Sequence, residues 1–151
     1  METNFVKKSI LINNDVNNIW NYVSKITTLD WLVGQKTTKF LSKKKRGIGA
    51  IRLITFDDGS DVEEYIVGWH PKKYFSYIAT SGLPVDAYHA TISLKQNGDS
   101  TTVTWESYLS SSGSKSEFLE FTKFLSQFYA KSLKSLKVMS VSYTHLTLPT
   151  T

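Results

Sequence analysis

The sequence predicts a single α+β domain in which an antiparallel sheet is covered by a long C-terminal helix, and three observations lead there. A strand-like run passes at once into helical spacing near the N-terminus. Alternating segments punctuated by turn dipeptides follow, and the chain closes on a broad apolar stripe at helical period. A length of 151 residues suits one domain with a sizeable core rather than two. With 40% hydrophobic, 21% charged and 13% aromatic residues, the composition is that of a chain that folds.

Phe5 to Ile12 reads as the first strand, with Val6, Ile10 and Ile12 on one face. Asn14 or Asp15 can cap the helix that follows, where Val16, Ile19, Trp20 and Val23 share one side. A second short helix or turn around Thr28 to Leu32 carries Trp31 against the same core, so that two short helices follow the first strand. Both tryptophans read as core anchors. Strands are then expected over Gln35 to Ser42, Ala50 to Phe56, Asp61 to Trp69, Tyr74 to Thr80, Asp86 to Gln96 and Thr101 to Tyr108, six to seven in the sheet as a whole. Asp58-Gly59 and Asn97-Gly98 supply hairpin turns, and Pro84 interrupts because proline cannot donate to a ladder. The cleanest alternation sets Tyr88, Ala90, Ile92 and Leu94 against His89, Thr91, Ser93 and Lys95, a strand with one wet side.

Ser114 and Glu117 form a capping box before a helix expected to run to about Met139. Its apolar stripe is Phe118, Phe121, Leu125, Phe128, Tyr129, Leu133 and Leu136; Lys115, Lys123, Lys131, Lys134 and Lys137 occupy the other side. Residues 140–151 break the trend. They are Thr-rich and, apart from His145, uncharged, and they resemble an in-frame translation of a transposon-based sequencing adapter; they are set apart from the domain, whose native helix would then be cut short near Ser140.

Charge and composition exclude several functions. No apolar run approaches a membrane span, no signal peptide precedes the first strand, and the default address is the cytoplasm. The absence of cysteine excludes disulfides, thiolate metal sites and cysteine nucleophiles. Of the net charge of +5, the densest patch is Lys43-Lys44-Lys45-Arg46, read as a solvated turn; no helix-turn-helix or RNP-type strand accompanies it, so no nucleic-acid partner is expected. His70 and His89 read as surface residues, no serine sits in a nucleophile elbow, and no His-Glu pair has ligand spacing. Neither a metal nor a cofactor is expected.

The order of elements, together with Gly47-x-Gly49-x-x-Arg52, Val62-Glu63-Glu64, Leu83-Pro84-Val85-x-x-Tyr88 and Val103-x-Trp105-Glu106, resembles the SRPBCC superfamily over Phe5 to about Met139. This is the helix-grip fold of START domains, the birch pollen allergen and the abscisic acid receptors, and the nearest branch is the polyketide cyclase/dehydrase family. The resemblance implies a curved sheet wrapped round the last helix, enclosing a cavity for a lipid, polyketide or aromatic metabolite. It places Ile54, Phe56, Val62, Glu64, Tyr88, Ala90, Glu106, Phe121, Leu125 and Tyr129 towards that cavity, and Arg52, Leu83 and Pro84 join them as candidates. Amphipathicity alone would turn Val103 and Trp105 inward and Glu106 out; the resemblance turns Glu106 in, and that placement is the expectation adopted. The receptors carry a Gly-Leu-Pro gate where this chain has Asp57-Asp58-Gly59-Ser60, which speaks against a hormone receptor, although Gly82-Leu83-Pro84 in the next loop can border a mouth.

Three functions compete. In the first, a small hydrophobic ligand is bound, with Glu64 paired to Arg52 and Tyr88 orienting the ligand. In the second, Glu64 and Glu106 share an apolar pocket, one of them titrates high, and a cyclase or dehydrase uses the pair with Tyr88 as donor and no cofactor. In the third, an adaptor has a filled core and an exposed apolar patch. Binding is preferred to catalysis.

Overall fold

The computed structural model describes the backbone of residues 1–147 and the side chains of residues 1–141. The elements are β1 (Glu2–Ile12), α1 (Val16–Val23), β2 (Gln35–Phe40), β3 (Ile51–Phe56), β4 (Asp61–His70), β5 (Tyr74–Ser81), β6 (Ala87–Asn97), β7 (Ser100–Ser111) and α2 (Lys115–Thr147). The strands form one seven-stranded sheet in the order β1-β7-β6-β5-β4-β3-β2. Every neighbouring pair is antiparallel. Strand β1, first in the chain, returns to pair with the last along its whole length, Glu2 against Ser111 through Ile12 against Thr101.

Helix α1 begins where the Asp15 carboxylate accepts from the Asn18 N–H at 2.9 Å. It buries Ile19, Trp20 and Val23, each worth roughly 1.5–3 kcal/mol when fully covered. The expected second short helix does not form. Thr28 N–H bonds to Lys25 O and Leu32 N–H to Leu29 O, which are isolated turns. Leu29, Trp31 and Leu32 are all buried, and an irregular path turns all three inward where a helix would carry Trp31 to a different side from the other two.

Register irregularities at Gln35/Thr37, Glu63/Glu64 and Ile66/Gly68 mark bulges, the usual device for bending a sheet. At the β6–β7 hairpin Asn97 pairs with Ser100, so the loop is Gly98-Asp99, one residue beyond the expected turn. Gly98 has φ 61°, as the first position of a type II′ turn requires.

Alternation gives the sheet one buried face, carrying Tyr88, Ala90, Ile92 and Leu94 from β6 and Val103, Trp105, Ser107 and Leu109 from β7. Helix α2 lies across it. The Glu117 N–H donates to Ser114 Oγ at the helix start, and Phe118, Leu125, Tyr129, Leu133 and Leu136 are buried while the five lysines of the opposite side are exposed. The helix runs past the expected end at Met139 to Thr147; the remainder of the tail, residues 148–151, lies outside the described residues. Among the described residues no helix is long and apolar enough to cross a membrane.

Candidate functional site

The sheet face and α2 do not close on each other everywhere. Towards the Phe56 end of β3 they leave a cavity of about 500 Å³, within the usual range of small-molecule pockets. Arg52, Ile54 and Phe56 of β3, Val62 and Glu64 of β4, Tyr88 of β6, and Phe121 and Leu125 of α2 line it, as expected. Leu83 and Pro84 border it, with Asp57, Asp58 and Ser60 of the facing hairpin. Gly82 lets that loop approach: it has φ +99°, and a Cβ there would lie 2.0 Å from Asp61 O.

Three expected residues stand elsewhere. Ala90 is fully buried but too short to reach the lining. Tyr129 is also fully buried; its ring stacks on Trp105 at 4.0 Å, behind the cavity wall. Glu106 is on the outer face, opposite Lys7 of β1 and Thr91 of β6. The two-residue period of β7 forbids Trp105 and Glu106 from sharing a face, and the buried one is Trp105. Amphipathicity was the better guide here, and the expected pair of pocket carboxylates does not exist.

At the floor, Arg52 and Glu64 are direct cross-strand partners. Arg52 Nε donates to Glu64 Oε1 at 2.9 Å and Nη2 is ion-paired with the same oxygen at 2.8 Å, while Nη1 donates to Ile26 O at 2.9 Å. The guanidinium lies over the rings of Tyr77 and Phe75, 5.0 and 5.9 Å from their centroids. Burial pushes the Glu64 carboxyl up from its ordinary value, and the Arg52 charge and hydrogen bond pull the other way.

Beside this pair lie three phenols. Trp105 Nε1 donates to Tyr77 Oη at 3.0 Å, and the Tyr88 and Tyr129 hydroxyls are hydrogen-bonded to each other. Burial first, and neighbouring acidic groups second, push Tyr77 and Tyr88 well above the ordinary phenol value. Burial also raises Tyr129, with the Ser107 and Tyr88 hydroxyls opposing. All three therefore stay protonated donors at physiological pH.

The remaining wall is aromatic and was missed in part. Trp31, read as a core anchor, lines the cavity edge-on to Trp105, with centroids 5.8 Å apart. Its indole N–H is buried without a hydrogen-bond partner among the described residues. Phe75, Tyr77, Ile92, Trp105, Phe124 and Phe128 also line it, with Leu29, Leu32, Val33 and Gly34 of the turns around Trp31. The strand alternation that placed Tyr88 also carried Ile92, and the helix stripe contained Phe128; Trp31 gave no signal, because it sits in irregular backbone. His70 and His89 are exposed, away from this site. No group of three or more His, Cys, Asp or Glu suited to a metal occurs among the described residues.

A family model described as polyketide cyclase / dehydrase and lipid transport matches residues 5–139. No curated protein matches the chain in sequence. Among solved structures, the protein XoxI from Bacillus cereus superposes with a TM-score of 0.79 at 22% identity, over 93% of this chain and 98% of its own. An uncharacterized protein from Bacillus thuringiensis gives 0.77 at 22%, covering 91% and 99%. Ara h 8.0201 gives 0.72 at 11%, covering 93% and 99%. At these identities the structural likeness establishes the fold, a helix grip.

Proposed function

The chain belongs to the polyketide cyclase / dehydrase and lipid transport family, and from that premise we propose that it binds a small hydrophobic molecule in the cavity between the sheet and α2, in the cytoplasm. The observation that carries this reading is the 500 Å³ hollow itself, walled mainly by aromatic and aliphatic side chains, with the Arg52–Glu64 pair at its floor and Asp57, Asp58 and Ser60 at its edge. An adaptor would gain stability by filling that space, since an unfilled cavity costs roughly 24 cal/mol per Å³. Keeping it open makes sense for a chain that receives a ligand there.

Catalysis by a carboxylate pair loses its second member with Glu106 on the outer face. Glu64, the remaining carboxylate, is engaged twice by Arg52, and the Tyr88 hydroxyl is engaged with Tyr129. These are groups fixed to orient a guest. Native mass spectrometry of the protein purified from cells tests the proposal. A non-covalent adduct of small-molecule mass, lost on denaturation, is expected. A bare protein mass, together with no uptake of a neutral apolar fluorophore, would contradict it.

A further inference from the structure

We propose that the cavity is selective for uncharged ligands that carry a hydrogen-bond donor, a hydroxyl above all, and that Glu64 is the residue that reads it. This rests on the cavity being a binding site and narrows what that site accepts.

The charged groups of the lining are Arg52, Glu64, Asp57 and Asp58, one cation against three carboxylates, in a chain whose overall charge is +5. The cation's charge is already balanced: two of its nitrogens are paired with Glu64, and the third donates to Ile26 O. A carboxylate-bearing guest such as a fatty acid therefore meets a neutralised pair at the floor. At the rim it meets Asp57 and the Asp58 carboxylate, which Ser60 N–H and Oγ hold ionised at 2.9 and 2.6 Å. Bringing an anion into an apolar site without a counter-charge is strongly unfavourable.

Glu64 supplies the positive criterion. Both Arg52 contacts go to Oε1, and among the described residues no hydrogen bond uses Oε2. The side chain keeps 7% exposure within the cavity lining. Oε2 is thus an acceptor left open on an ion-paired side chain of the cavity lining, and a guest O–H or N–H that reaches it makes a charge-assisted bond. A guest of equal shape with no donor leaves it unsatisfied.

Three naphthalenes of similar size separate these terms: 2-naphthol, 2-methoxynaphthalene and 2-naphthoate, titrated calorimetrically near neutral pH. Wild-type protein should bind 2-naphthol about tenfold more tightly than 2-methoxynaphthalene, the scale of one hydrogen bond to a charged group. It should bind 2-naphthoate more weakly than either. Glu64→Gln frees the guanidinium, so 2-naphthoate should gain at least about tenfold and 2-naphthol should lose its advantage. Should that variant fail to fold, the Arg52→Met/Glu64→Met double variant removes both charges and should bind 2-naphthol and 2-methoxynaphthalene equally. Equal affinity of the wild type for naphthol and naphthoate would overturn the selectivity while leaving the pocket intact. A preference for naphthol that survives loss of Glu64 would remove Glu64 as its reader. If none of the three binds, the cavity is not a small-molecule site and the selectivity falls with it.

Discussion

The two ends of the sheet's inner face are built from the same kinds of side chain, yet one is solid and the other hollow. At the solid end α1 lays Trp20 against Trp69 and Phe75, with centroids 5.3 and 6.5 Å apart in edge-on contact. At the hollow end Trp31, Trp105, Phe56 and Phe128 make comparable edge-on and tilted pairs, yet enclose about 500 Å³. The boundary between them is Arg52, which stands over Phe75 and Tyr77 and is tied to Glu64 and to the Ile26 carbonyl. The difference teaches that the hollow does not come from a shortage of apolar side chains. The hollow end carries polar ties among its lining, the Arg52–Glu64 pair and the Trp105-to-Tyr77 bond, whereas at the solid end the apolar face of α1 packs directly on the rings.

Breaking the Arg52–Glu64 pair should have the largest effect. Arg52→Met leaves the Glu64 carboxylate buried without its counter-charge and should cost about 3–5 kcal/mol in chemical denaturation. The pH dependence has a definite sign. Burial already raises Glu64, and removing the cation raises it further. Between that folded value and the ordinary glutamate value the native state holds the proton and the unfolded state does not. Lowering the pH through this window should therefore restore part of the variant's lost stability relative to the wild type. A deficit independent of pH would mean that Glu64 is not what Arg52 protects.

Truncating one ring at each end sharpens the contrast. Trp20→Ala at the solid end opens a new cavity in packed surroundings and should cost about 3–5 kcal/mol. Phe121→Ala enlarges a space that already exists, from a half-buried position, and should cost less than about 2 kcal/mol. Equal losses, read from the same denaturant midpoints, would show that the two ends are packed alike.

How much of this contrast was legible in the sequence follows from which residues obey a period. Strand and helix spacing located Tyr88, Leu125 and Phe121, and the cross-strand partnership of Arg52 with Glu64 was readable from their places on neighbouring strands. Periodicity also had Trp105 right and Glu106 outward; the family likeness overrode it there and was wrong, and it also placed Ala90 and Tyr129 in a lining they do not reach. Trp31 was invisible as a pocket residue because it lies on a segment of turns, where no repeat says which way a side chain points. That the space stays open was not legible at all. The contacts around it join residues as far apart in sequence as Tyr77 and Trp105, which no local period reveals.

A smaller effect is expected when the pair is removed whole. The Arg52→Met/Glu64→Met double variant exchanges a buried ion pair for apolar groups of similar volume, and its stability should lie within about 2 kcal/mol of the wild type. A loss as large as that of Arg52→Met alone would show that the Ile26 tie, rather than the ion pair, carries the stability.

The most direct reading of the site comes from one filling substitution. Leu125 is buried on α2 and borders the cavity, so Leu125→Trp places an indole in space the ligand would use, at a cost in stability of about 1–3 kcal/mol from overpacking at most. Titration of a neutral, polarity-sensitive fluorophore into the wild type and the variant, with thermal melts of both, measures the two effects side by side. The account predicts a folded variant whose affinity for the fluorophore falls by at least about tenfold, more than 1.4 kcal/mol. Unchanged affinity in a folded Leu125→Trp protein would contradict it, and would place the ligand somewhere other than the hollow.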